Sequence, residues 1–169
     1  RMGAPFHHIH GAGRDYAGMR ARLEQEGLTV DGDSVKLAAD PKDTGVELRE
    51  YIYDMPLIMA AADLVVCRAG ASTISELTAI AKPAVLVPSP NVVADHQTKN
   101  ARVLSDRGAA LLVSEQECNG KTDALFNTIS DLLNHPEKRE AMAKALREMA
   151  IPDASEHIYR TLVELMDRK

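Results

Sequence analysis

The sequence predicts an α/β protein built on a Rossmann-like, doubly wound parallel sheet. Three observations carry that prediction. Short apolar runs such as DLVVC and PAVLVP alternate with segments of helical periodicity. The connections between them are short. Residues 64–67 and 84–87 are apolar without alternation, as strands are when helices cover both faces of a sheet.

Each element follows from local chemistry. FHHIHG (residues 6–11) reads as a short strand ending in a glycine turn. RDYAGMRARLEQEG reads as a helix with Tyr16, Met19 and Leu23 on one face and Gly27 at its stop. LTVDGDSVKLAADPKDTG (28–45) is polar and punctuated, and reads as a loop with at most one weak strand. VELREYI (46–52) reads as a strand. Asp54 then caps a helix through MPLIMAAA, with Pro56 in the first turn, where a missing N–H costs little. DLVVC is a strand, STISELTAIA a helix and PAVLVP a second buried strand. SPNVVAD is a loop, HQTKNARVLSDRG a helix stopped by Gly108, and AALLV the last strand. Three helices follow, at about Lys121–Leu133, Pro136–Met149 and Ala154–Asp167. The last carries Ile158, Leu162 and Leu165 on one face and is expected to turn that face to the core. The whole chain, 1–169, is expected to form one domain with carboxy-terminal helices from about residue 121.

Composition narrows the function classes. The 169 residues are 45% hydrophobic and 27% charged, enough for a sizeable core. A net charge of −5 argues against a nucleic-acid partner. No apolar run approaches the roughly 20 residues of a membrane span, and no signal peptide is visible. Cys67 and Cys118 do not make a disulfide framework, which fits a reducing, cytoplasmic compartment. The chain begins at Arg1 and reads as a piece of something longer.

Ligands of such folds bind beyond the carboxyl ends of strands, so the loops after His10, Ile52, Arg68 and Pro88 are the places to search. CRAGASTISEL places Arg68, Gly70 and Ala71 where a helix begins. Its unpaired N–H groups, partial positive charge and small residues suit a phosphate or diphosphate. An alternative stands beside that reading. Thr73 and Glu76 fit the T-x-x-E capping box, which would merely close the helix end. DHQTKNA offers Asp95 as a cap and His96, Gln97 and Asn100 as ligand contacts, or else a solvated helix start. In HHIHGAG, alternation puts His8 and His10 on one face and His7 on the other. Two imidazoles without further ligands do not make a zinc site, so no metal is expected. Gly11 and Gly13 are too few for a dinucleotide fingerprint. Cys67 has no histidine at a telling spacing and reads as a structural thiol.

Taken in order and spacing, YIYDM, ADLVVCRAGASTISEL, KPAVLVPSP and DHQTKNA resemble the MurG family of peptidoglycan N-acetylglucosaminyltransferases. The resemblance covers most of this chain but only the carboxy-terminal half of such an enzyme. HHIHG resembles the family's H-Q-T-G strand end, with Ile9 and His10 in place of the middle pair. The resemblance implies half of a GT-B architecture, the domain that binds the UDP-N-acetylglucosamine donor. It implies that the Ile52 backbone contacts uracil, with Met55 close by. Ala71, Ser72, Thr73, Ile74, Ser75 and Glu76 would lie at the ribose and diphosphate, with Glu76 accepting from ribose hydroxyls. Gln97 would contact the sugar, with His96 and Asn100 as neighbours.

The implied chemistry is inverting transfer to a lipid-linked muramyl-pentapeptide, with no cofactor required. The full-length enzyme would work peripherally on the inner face of the cell membrane. The family's amino-terminal acceptor domain, and the glycine-serine loop on the donor domain's first strand, have no counterpart here. The first strand is therefore expected to be missing, leaving free sheet edges, and the chain alone is expected to transfer no sugar. No residue reads as a catalytic base. The alternatives are a related GT-B or split glycosyltransferase with another lipid acceptor, or a non-catalytic binding module.

Overall fold

In the computed structural model, residues 6–37, 43–118 and 123–167 are described. The chain divides into two compact units, Arg1–Pro56 and Leu57–Lys169.

The first unit is a four-stranded sheet in the order β1-β4-β3-β2, with one helix. Strand β1 (His8–Gly11) leads through a 3-10 turn (Gly13–Asp15) to helix α1 (Tyr16–Gln25). Strands β2 (Leu28–Asp31) and β3 (Ser34–Leu37) form a hairpin, and β4 (Asp43–Arg49) pairs antiparallel with β3 and parallel with β1. This hairpin corrects the loop expected over 28–37. Gly32, with φ at +60°, and Asp33 make a two-residue turn between Asp31 and Ser34, a connection whose twist matches that of the strands. Val30 and Val35 then point to one face and join Leu48 in a buried core, against which Tyr16, Met19 and Leu23 of α1 pack. Residues 38–42, in the same expected loop, lie outside the described residues.

The second unit is a three-stranded parallel sheet in the order β5-β6-β7. Its strands are β5 (Val65–Cys67), β6 (Ala84–Leu86) and β7 (Leu111–Leu112). Helices α3 (Ala71–Ala79) and α4 (His96–Ser105) make the connections, and α2 (Met55–Ala61) precedes β5. Alternation along β6 fills two cores. Ala84 and Leu86 join Leu77, Leu104 and Leu146 on one side, while Val85 joins Val113, Leu132 and Met142 on the other. That double burial is why β6 reads as an unbroken apolar run. Beyond β7 come the short α5 (Glu115–Cys118), then α6 (Ala124–Asn134), α7 (Pro136–Met149) and α8 (Ala154–Asp167). The helix start expected at Lys121 lies outside the described residues.

Two expectations about burial are corrected. Strand β5 is an edge; Val65 and Cys67 pack on one core and Leu64 on the other, but Val66 is 43% exposed, so one face of the apolar run is only partly covered. Helix α8 buries no residue, and Ile158, Leu162 and Leu165 are all exposed. Periodicity reports an amphipathic face and says nothing about whether a neighbour covers it. Strand β1 is likewise terminal in its sheet. No helix among the described residues is long and apolar enough to cross a membrane.

The histidine strand gives the first unit an acid-sensitive point. The His8 and His10 rings meet edge to face, their centroids 5.7 Å apart. Burial lowers the pKa of both from the ordinary 6.5, and at His8 the neighbouring His10 and His7 lower it further. The unfolded chain therefore takes up these protons at higher pH than the folded one. Their contribution to stability is whole above pH 6.5 and is lost as pH falls through the lowered folded values. Further down, Glu47 adds the same sign. Burial alone would raise its pKa, but hydrogen bonds from Arg49 and His7 outweigh that and lower it. Amide protection factors in β1 and β4, which are exchange rates relative to the unfolded chain at the same pH, are expected to fall from pH 7.5 to 5.5, and His10→Gln to flatten the trend. Protection that stays level across that range in the native chain would refute this assignment.

Candidate functional site

The loop after β5 presents a helix amino terminus with little in front of it. Gly70 is the residue before α3, in extended conformation (φ −69°, ψ 151°), and no side chain caps the helix. The first intrahelical bond runs from the Ile74 N–H to the Gly70 carbonyl at 3.0 Å. The N–H groups of Ala71, Ser72 and Thr73 thus have no carbonyl one turn back. The expected capping box is absent, because α3 begins three residues earlier than its pattern requires. Thr73 is the third helical residue, Glu76 the sixth, and Glu76 is exposed. Ser75 Oγ donates to the Ala71 carbonyl at 3.1 Å. Glycine is not sterically demanded at position 70, where a Cβ would meet only Thr73 Oγ1 at 3.7 Å.

The reciprocal box forms instead at Ser114 and Glu117, a signal of the same S-x-x-E type that the sequence reading passed over. Glu117 Oε2 accepts from the Ser114 N–H at 2.7 Å and from its hydroxyl at 2.6 Å, while Ser114 Oγ accepts from the Glu117 N–H at 3.2 Å. These bonds lower the Glu117 pKa. They also start α5, which carries Glu115.

One end of the Arg68 guanidinium is engaged by protein partners. Its Nη1 donates to Glu115 Oε2 at 2.7 Å, and to the Val87 and Pro88 carbonyls at 3.3 and 3.4 Å. The loop after β6 is similarly tied. The Ser89 N–H donates to Gln97 Oε1 at 2.9 Å, and Asn100 Nδ2 donates to the Ala69 carbonyl at 3.2 Å. Asp95 precedes α4 but makes no capping bond, which corrects the expectation of a cap there. It and Ala94 are left-handed, with φ at 52° and 55°. His96 Nδ1 donates to the Val93 carbonyl at 2.8 Å and closes this turn.

Arg68, Gly70, Ala71, Ser72, Thr73, Ile74, Ser75, Glu76, His96, Gln97 and Asn100 all belong to the second unit, in the loop after β5, in α3 and in α4. The expected residues Ile52 and Met55 belong to the first unit. Ile52 follows β4, and its buried side chain lies against Gly11, where an added Cβ would meet Ile52 Cδ1 at 3.2 Å. Met55 opens α2 and is 42% exposed. Cys67 is pushed up to about 11 by burial and then by the Glu76 carboxylate, so it is a protonated thiol at neutral pH and no nucleophile. Among the described residues no group of three or more His, Cys, Asp or Glu side chains could hold a metal ion.

Comparison with known proteins gives one consistent picture. The model of the glycosyltransferase family 28 C-terminal domain matches residues 5–158. A protein of Exiguobacterium sp. is 48% identical over 126 residues, covering 75% of this chain and 34% of its own length. One of Salinibacter ruber is 52% identical over 119 residues, covering 70% and 31%. Both are named UDP-N-acetylglucosamine–N-acetylmuramyl-(pentapeptide) pyrophosphoryl-undecaprenol N-acetylglucosamine transferase. The crystal structure of Acinetobacter baumannii MurG superposes with a TM-score of 0.72 at 28% identity, over 98% of this chain and 44% of that one. The chain spans about a third of the length of the curated relatives it matches.

Proposed function

From the premise that the chain belongs to the glycosyltransferase family 28 C-terminal domain family, we propose that it is the donor-binding domain of an inverting N-acetylglucosaminyltransferase. Its ligand is UDP-N-acetylglucosamine. The observation that carries this reading is the open amino terminus of α3 behind Gly70, a residue whose lack of a side chain has no steric reason within the protein. A diphosphate supplies the reason. It needs close approach to the N–H groups of residues 71–73, and it gains from the positive end of the helix dipole. In transfer, the same donors would stabilise the charge that develops on the departing UDP, without a metal being required.

The remaining assignments rest on the resemblance of these motifs to the MurG family. The Glu76 carboxylate accepts from the ribose hydroxyls. Gln97, flanked by His96 and Asn100, takes the sugar. The lipid-linked muramyl-pentapeptide acceptor belongs to the part of the longer relatives that this chain does not span. The complete enzyme then works peripherally at the inner face of the cell membrane, and this chain by itself binds donor without transferring sugar.

Calorimetry with UDP and ADP tests the reading. UDP is expected to bind more tightly, and equal binding of the two would sink it. Gly70→Ser sharpens the test. Serine is a favoured cap whose hydroxyl reaches the same amides, so stability should hold or rise. UDP affinity should nonetheless fall by roughly tenfold, the worth of one hydrogen bond to a charged group.

A further inference from the structure

We infer that Arg68, Asn100 and Glu115 are positioning residues that hold the segment between β6 and α4 for the sugar end of the donor, with Arg68 acting through the protein backbone and not on the diphosphate. The inference rests on the donor-binding reading above and assigns a division of labour within that site.

The geometry of Arg68 carries it. A phosphate-binding arginine presents its fork to the ligand. Here Nη1 is turned toward the Val87 and Pro88 carbonyls, where β6 ends, and Glu115 neutralises it at 2.7 Å. The guanidinium therefore joins the end of β5 to the end of β6. Glu115 is itself held in place, since the Ser114–Glu117 box fixes the backbone on either side of it. Asn100 makes the reciprocal tie from α4 to Ala69, the residue after Arg68.

What these ties hold needs holding. Residues 94 and 95 are both left-handed, a conformation that costs energy outside glycine and persists where the surroundings enforce it. Between the ties lies Ser89, whose N–H donates to Gln97 Oε1 at 2.9 Å. Its hydroxyl oxygen accepts from the Asn91 N–H at 3.4 Å. With its amide oxygen engaged, Gln97 meets a ligand through Nε2, as a donor to a sugar hydroxyl. Loosening Arg68 or Asn100 releases the strand end or the helix on which Gln97 depends, and leaves the amides of residues 71–73 in place.

The test compares UDP with UDP-N-acetylglucosamine on the full chain, by calorimetry, for Arg68→Ala, Glu115→Gln and Asn100→Ala. Each is expected to weaken UDP-N-acetylglucosamine about tenfold, as for one lost hydrogen bond, and to leave UDP within about twofold. A like loss for both ligands in Arg68→Ala would put the guanidinium on the diphosphate and overturn the inference. Amide exchange at Ser89 and Asn91 without ligand reads the brace directly. It should quicken in Arg68→Ala and in the conservative Glu115→Gln, and unchanged exchange overturns the inference whatever the chain binds. If the native chain bound neither nucleotide, the donor-binding reading would fall, and with it the role of the brace in sugar recognition.

Discussion

Glu76→Gln is expected to weaken UDP binding by roughly ten- to hundredfold and to leave the melting temperature where it is. Hydrogen bonds to a charged acceptor contribute about 1.5–3 kcal/mol each, and every 1.4 kcal/mol is about tenfold in affinity. Stability should hold because Glu76 is the sixth residue of α3, exposed, and takes no part in capping. Glutamine keeps the length and the helix propensity. Unchanged UDP affinity in a well-folded Glu76→Gln chain would remove this carboxylate from the site. The Cys67 thiol offers a second check. Part of its raised pKa comes from the Glu76 charge, so alkylation of Cys67 should begin at lower pH in the variant.

Leu146→Ala should produce the largest loss of stability, about 2–5 kcal/mol for the second unit. Leu146 is fully buried on α7, in the cluster with Leu77 of α3, Leu86 of β6 and Leu104 of α4. Truncating it leaves a cavity beneath the helix whose open end carries the proposed diphosphate site. Leu162→Ala on α8 is the control. Leu162 is 55% exposed, and its loss should move stability by no more than about 0.5 kcal/mol. Urea denaturation followed through the helical signal compares the two. Equal, small effects would mean that α7 is not docked as described.

Much of this was legible in the sequence, and the exceptions have physical causes. Residues 84–87 were readable as a buried strand because both faces of β6 are covered. The same kind of run at 64–67 was misleading because an apolar strand reads alike whether its second face is packed fully or in part. The hairpin at 28–37 was missed although Gly32-Asp33 between two short alternating runs is a two-residue turn signal. Its strands are only four residues long, and their polar outward positions make the segment read as a punctuated loop.

The capping box shows how local pattern and tertiary context compete. Thr73-x-x-Glu76 and Ser114-x-x-Glu117 carry the same chemistry, yet only the second is used. The first helix starts at Ala71, immediately after the strand turn, which moves Thr73 inside it. The cluster of small residues around Gly70 was readable as an anion site. That Arg68 spends its charge on Glu115, 47 residues away, is a contact no local pattern contains.

The division into two units bears on how the molecule can be watched. The chain has no tryptophan and four tyrosines. Tyr16, Tyr51 and Tyr53 belong to the first unit and Tyr159 to the second. Intrinsic fluorescence is thus mostly a reporter of the four-stranded unit, whereas most of the helical ellipticity arises from the other. Two probes that melt apart would signify two cooperative transitions, and a single unfolding free energy would then describe neither. A substitution near α3 must be judged by ellipticity, and one in β1 by fluorescence. With the probes exchanged, each would look harmless.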